Sequence, residues 1–224
     1  MAMLLMIETA VQSASVCLAK DYTFISEMIN PAEKESAAWL HTATEQLLNQ
    51  NNTRLQQLSA IAISAGPGSY TGLRVGMAAA KGLCYALNIP LITINTLQIM
   101  AASIKETSAG LLCPMIDARR MEVFTAIYDR QLSTIMPPKN LILDETAFQN
   151  ELANQSICFF GNGSTKAKTV IQHSNAVFAD VETTAANMIV LAWKKFEQAQ
   201  FSDLAYTEPY YGKEFHSPTN TKNS

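Results

Sequence analysis

Two short apolar runs, each closed by an acid and followed by a second β-prone run, constrain this chain more than any other feature. Met3 to Glu8 ends in Ile7-Glu8-Thr9 and leads into Ala14 to Ala19. Leu111 to Ile116 ends in Ile116-Asp117-Ala118 and leads into Met121 to Tyr128. One supersecondary unit used twice is the simplest source of such a recurrence.

The surrounding pattern extends both units. In the first, Met3 to Glu8, Ser13 to Ala19 and Thr23 to Ile29 read as three hairpin-paired strands, with Lys20-Asp21 as a turn. After Asn30-Pro31, the apolar positions Leu40, Ala43 and Leu47 recur at helical spacing. They predict a helix from Ala32 to Leu48, stopped by Asn49-Gln50-Asn51-Asn52. A strand at Leu58 to Ser64, a glycine loop, a helix from Thr71 to Asn88 and a strand at Leu91 to Ile94 complete this half. The second half predicts a third strand near Asn140 to Leu143, beyond Pro137-Pro138, and a short helix from Glu145 to Leu152. A strand at Ile157 to Phe160, the turn Gly161-Asn162-Gly163, a strand near Val177 to Ala179 and a helix from Thr184 to Ala199 follow. The predicted fold is therefore α/β, two similar lobes of the duplicated actin-like, sugar-kinase (ribonuclease H-like) type, with mixed sheets flanked by helices. The lobes divide as 1–104 and 105–215; Tyr206 to Phe215 reads as extended and 216–224 as a disordered polar tail.

Composition narrows the function. With 48% hydrophobic and 16% charged residues the chain can bury a core. Its net charge of −3 gives no bulk attraction to nucleic acid. Cys17, Cys84, Cys113 and Cys158 are widely spaced in apolar runs, which suits reduced core thiols and a cytoplasmic location. The apolar start stops at Glu8 with no preceding cation, unlike a signal peptide, and Val75 to Leu87 is broken by Lys81.

Chemistry has few places to live. Glycines in Ala65-Gly66-Pro67-Gly68-Ser69 can let backbone N–H groups approach an anion at a helix start, making Gly66, Gly68 and Ser69 candidate nucleotide-binding residues. The alternative is a tight strand-to-helix turn, since no Gly-Lys-Ser/Thr ending follows. Within the next helix, Gly72, Gly76, Ala80 and Cys84 fall at i+4, a nearly bare face that either packs on its own sheet or receives a partner helix. Trp39, off the Leu40/Leu47 stripe, reads either as an interface anchor or as the edge of the core. His41, His173 and His216 form no metal-ligand spacing, and Ser69 has no nucleophile elbow. Glu8 and Asp117 suggest an acid pair across a cleft. Neither is followed by the glycine that an actin-like ATPase places there.

The run Gly66-Pro67-Gly68-Ser69-Tyr70-Thr71-Gly72-Leu73-Arg74-Val75-Gly76, then Ala79-Ala80-Lys81-Gly82-Leu83 and Ile89-Pro90-Leu91, closely resembles the signature of the bacterial TsaB family, formerly grouped with the glycoprotease-like proteins. Asp117-Ala118-Arg119-Arg120 with Glu122-Val123 resembles that family's second signature, and Ile7-Glu8-Thr9-Ala10 is similar to its usual Asp-Thr-Ser. Glu8 replaces the Asp, and Glu35-Ser36 stands where relatives often have His-Ser. The resemblance implies a non-catalytic subunit of the complex that forms N6-threonylcarbamoyladenosine beside the anticodon of tRNAs reading codons that begin with adenosine. It implies binding to a TsaD-like catalytic paralogue through the first two helices, placing Trp39, Ala43, Gly72, Leu73, Gly76 and Ala80 at the partner surface. A TsaE-like ATPase joins the pair, ATP is held only in the assembled complex, tRNA is reached indirectly, and the same helices can pair two copies of the chain. The rival reading is a stand-alone actin-like ATPase or small-molecule kinase; a peptidase would need ligands or a nucleophile frame that this sequence lacks.

Overall fold

The computed structural model describes residues 1–31 and 36–212. Glu35, the first positions of the helix predicted from Ala32, the end of the 206–215 stretch and the 216–224 tail lie outside the described residues.

Among the described residues, ten strands form two five-stranded sheets with the same internal order. The first contains β1 (Met3–Glu8), β2 (Ser15–Lys20), β3 (Thr23–Ile29), β4 (Ala60–Ser64) and β5 (Leu91–Ile94), arranged β3-β2-β1-β4-β5. The second contains β6 (Leu111–Asp117), β7 (Glu122–Asp129), β8 (Thr134–Ile142), β9 (Ile157–Phe160) and β10 (Ala176–Phe178), arranged β8-β7-β6-β9-β10. In both, the first strand pairs antiparallel with the next strand and parallel with the fourth. This shared topology is the duplication that the repeated strand-plus-acid pattern implied, and it makes the chain an α/β protein of the duplicated actin-like type.

Burial on both faces explains why the central strands read as unbroken apolar runs. Along β1, Leu5 and Ile7 join one core with Leu40 and Leu47 of α1 (Ser36–Gln50) and Met77 and Ala80 of α2 (Tyr70–Leu87). Leu4 and Met6 alternate to the opposite face, where they meet Leu191, Ala192 and Trp193 of α6 (Ile189–Glu197). The last helix of the chain thus returns to cover the first sheet. In the second sheet, Cys113, Met115 and Phe159 pack with Leu152 of α4 (Gln149–Asn154) and Ala167 of α5 (Ser164–Val170). All four cysteines are free and buried, and burial pushes the Cys17, Cys84 and Cys113 thiols up to about 12, far from a reactive thiolate.

Two helices escape the sequence reading. Of these, α3 (Thr96–Ser103) lies between the sheets: Ile99 belongs to the core under the first, and Leu97, Met100 and Ala101 belong to the core under the second. A helix wrapped on all sides by core has no polar face and so no amphipathic period. Its sequence signal is the cap, where the Asn95 side chain accepts the Leu97 N–H at 2.9 Å. The other, α5, follows Gly163 with no side-chain cap. Strand β8 runs straight through Pro137-Pro138 rather than starting after them. It is an edge strand, and its pairing with β7 shifts register there, which is where prolines are tolerated.

Candidate functional site

The glycine loop joins β4 to α2, and each of its glycines is required by something the chain itself places against it. Gly66 has φ 104°, and a Cβ there would run into the Tyr210 carbonyl oxygen. Its N–H donates to Thr96 Oγ1 at 3.1 Å and its carbonyl accepts the Thr96 N–H at 2.9 Å. A Cβ on Gly68 would strike the Ala10 carbonyl oxygen, which accepts the Ser69 N–H at 2.8 Å. Ser69 caps α2 by accepting the Gly72 N–H at 3.2 Å. Of the candidate nucleotide-binding residues Gly66, Gly68 and Ser69, Gly66 and Ser69 therefore direct their N–H groups at Thr96 and Ala10, and Gly68 lies against the Ala10 carbonyl. In place of an anion cradle they make the tight strand-to-helix turn that was the alternative reading.

The bare helix face resolves in the same direction. A Cβ on Gly72 would collide with the Thr9 carbonyl oxygen, and one on Gly76 with Thr9 Oγ1. A Cβ on Gly76 would also lie 3.0 Å from Ile63 Cδ1. Leu73, Ala80 and Ala43 are buried in the first lobe's interior, and Trp39 is half-buried against the same core. Gly72, Leu73, Gly76, Ala80 and Ala43 thus face inward: the β1–β2 turn needs room against α2, which Gly72 and Gly76 provide, and the other three fill the lobe's interior. This corrects their assignment to a partner surface.

The outward face of α2 carries its own small-residue spacing, which sequence reading passed over. Ala78, Gly82 and Ala86 are exposed at i+4 intervals, and a Cβ on Gly82 would meet nothing within 4 Å. A glycine inside a helix with open space above it is the signal that distinguishes this face from the inward one. Beside it, a groove of about 400 Å³ is lined by His41, Glu45 and Leu48 of α1, Arg54 and Leu55 of the following loop, and Leu83 of α2.

Residues 201–212 form a strap that closes the loop side. Ser202 bridges to Leu91, Lys81 Nζ donates to the carbonyls of Ala205 at 3.2 Å and Thr207 at 3.1 Å, and the Tyr210 N–H donates to Ala65 at 2.7 Å. Tyr211 packs on Tyr70 with ring centroids 4.9 Å apart, and Gly212 lies against the Phe124 ring of β7. The strap therefore runs from the first lobe's edge, over the glycine loop, to the second lobe.

The two first-strand acids occupy different environments and form no pair. Glu8 is fully buried, its Oε1 accepting the N–H groups of Ala10 and Val11. Burial pushes its carboxyl up to about 7, against these hydrogen bonds, which lower it. Asp117 is exposed; its Oδ1 accepts the Arg119 N–H at 2.6 Å and an ion pair from Lys166 at 3.0 Å. Partial burial, which raises its carboxyl, is outweighed by the Arg119 N–H and the Lys166 ammonium, so it sits below the usual carboxylate range. Both acids do the same local work, each accepting the N–H two residues on to hold a hairpin turn. Among the described residues, no group of three His, Cys, Asp or Glu side chains is placed to hold a metal, and no helix is long and apolar enough to cross a membrane.

Comparison with known proteins gives the family. The family model described as TsaD, tRNA N6-adenosine threonylcarbamoyltransferase, matches residues 29–216. The tRNA threonylcarbamoyladenosine biosynthesis protein TsaB of Bacillus subtilis is 31% identical over 172 residues, 75% of each chain. The TsaB protein of Escherichia coli is 26% identical over 219 residues, 93% of each. YeaZ from Pseudomonas aeruginosa superposes with a TM-score of 0.79 at 24% identity, over 94% of this chain and 100% of that one, and shares its fold. This chain belongs to the threonylcarbamoyltransferase-related family, in its TsaB group.

Proposed function

We propose that this chain is the non-catalytic subunit of the complex that forms N6-threonylcarbamoyladenosine in tRNA, and that it holds a TsaD-like catalytic paralogue against its first two helices. The observation that carries the reading is the filling of the glycine loop by the chain's own Thr9, Ala10 and Tyr210. A loop that gives the Gly66 and Ser69 N–H groups to the chain itself, with the Ala10 and Tyr210 carbonyls packed against its glycines, leaves little room for a substrate phosphate, which also stands against a stand-alone ATPase or kinase. In this reading the partner docks on the outer surface of α1 and α2, where Ala78, Gly82 and Ala86 let another helix approach closely and the groove beside Leu83 accepts a side chain.

In this reading a TsaE-like ATPase joins the assembled pair, any ATP is held there rather than in the isolated chain, and the complex works in the cytoplasm. Two copies of the chain pair through the same helices when the paralogue is absent. The test is calorimetric titration of the paralogue from the same genome into wild-type chain and Gly82→Leu. A leucine at this open, exposed position leaves the melting curve near wild type and lowers affinity at least 100-fold, about 2.7 kcal/mol. Undiminished binding by Gly82→Leu would place the partner elsewhere.

A further inference from the structure

The hairpin turn between β6 and β7 carries two adjacent arginines in the left-handed region, Arg119 at φ 70° and Arg120 at φ 49°. Residues with a Cβ enter this region against steric resistance, and hairpin tips that need it are ordinarily built from Asn and Gly. The tip between β2 and β3 also puts a large side chain there, Tyr22 at φ 66°, but for a reason inside the molecule. Its ring stacks on Trp193 with centroids 5.4 Å apart and its hydroxyl donates to Glu197 at 2.7 Å. Arg119 and Arg120 have no such return: both are exposed, and among the described residues neither guanidinium has a hydrogen-bond or ion-pair partner.

The backbone beneath them is nevertheless fixed. Asp117 Oδ1 holds the Arg119 N–H, Lys166 Nζ donates to the Arg120 carbonyl at 2.8 Å, the Glu122 N–H donates to the Arg119 carbonyl at 3.1 Å, and Asn162 Oδ1 accepts the Asp117 N–H at 2.9 Å. Of the two acids that flank the tip, Asp117 is engaged by Lys166 and Glu122 accepts from Asn140 Nδ2 at 3.3 Å. The turn lies beyond the carboxyl ends of the parallel strands β6 and β9, the edge where open α/β sheets place their ligands.

We infer that Arg119 and Arg120 form a preorganised clasp for the phosphodiester backbone of RNA, so that this chain contacts the tRNA directly and not only through its partners, as the family resemblance alone implies. The identity of the RNA rests on the proposed function. Guanidinium forks match phosphate oxygens bidentately, and two of them splayed from one rigid tip fit two successive phosphates of a strand better than a single carboxylate. On a chain of net charge −3, such a contact has to be local.

The test uses the chain assembled with its catalytic paralogue and fluorescein-labelled tRNA, with binding followed by anisotropy across a KCl series. Arg119→Gln/Arg120→Gln lowers RNA affinity about 10-fold at 0.1 M salt and reduces the slope of log affinity against log salt by about 1 to 2. Arg119→Asn/Arg120→Gly, which gives the turn the residues it favours, raises the melting temperature by about 2–4 °C while RNA affinity falls equally. Unchanged affinity and slope, or no RNA binding by the wild-type complex, overturns the inference. So does loss of paralogue assembly instead of RNA binding, which would mark an acidic protein contact. If the wild-type chain does not assemble at all, the proposed function fails separately, and the same titration on the chain alone decides the role of the turn.

Discussion

Glycines at positions 72, 76 and 82 of one helix have three different neighbourhoods and should respond differently to the same methyl group. Gly82→Ala adds a Cβ into open space and removes a helix-interior glycine, so stability rises by about 0.5–1 kcal/mol. Gly72→Ala drives a Cβ into the Thr9 carbonyl and lowers stability by about 1–3 kcal/mol or more. Chemical denaturation of both variants checks the pair, and equal effects would mean the inward and outward faces are misassigned. Glu8 adds a pH signature. Its folded-state value near 7 lies above the ordinary 4.5, so the folded form holds its proton more tightly than the unfolded chain. The resulting stability is fully present below about pH 4.5 and is lost as pH rises through 7. Glu8→Gln, which keeps an acceptor for the Ala10 and Val11 N–H groups, should flatten that loss and stabilise the protein at pH 8 by a few kcal/mol, of order 3. An unchanged stability profile between pH 5 and 8 would contradict the buried, protonated carboxyl.

At the scale of elements, the strands were legible because β1, β4, β6 and β9 are buried on both faces and write continuous apolar runs. Helix α2 was legible from its glycine loop and from Asn88, which closes it in the left-handed conformation. The direction of its small face was not, because i+4 spacing from Gly72 to Cys84 and from Ala78 to Ala86 is equally regular, and the Thr9 carbonyl that decides between them comes from another strand's end. Helix α3 was hidden by the reverse problem, burial on every side. The sequence reads 206–215 as extended, but the contacts of the strap are long-range: Lys81 reaches carbonyls more than a hundred positions further along the chain. Lys81→Met should accelerate amide exchange across 203–211, including the Tyr210 N–H held by Ala65, by about 10-fold while leaving α2 protected. No change in exchange would mean the strap is held by its aromatic and bridge contacts alone.

For the whole molecule, duplication and closure pull in opposite directions. Two equivalent sheets create the cleft of an actin-like fold, yet α3 packs into the cores of both, α6 returns from the second half to cover the first sheet, and the strap ties the glycine loop to Phe124. The repeated acids, placed so alike in sequence, have become one buried turn anchor and one exposed ion-paired anchor. A fold with its loop filled in this way is suited to presenting a surface, and the surface we propose for the paralogue is the outer side of α1 and α2. Size-exclusion chromatography with light scattering, on the chain alone and mixed with the TsaD-like paralogue of its own genome, tests this most directly. A new species at the summed mass is predicted, lost on Gly82→Leu; two unshifted peaks at micromolar concentration would contradict the account.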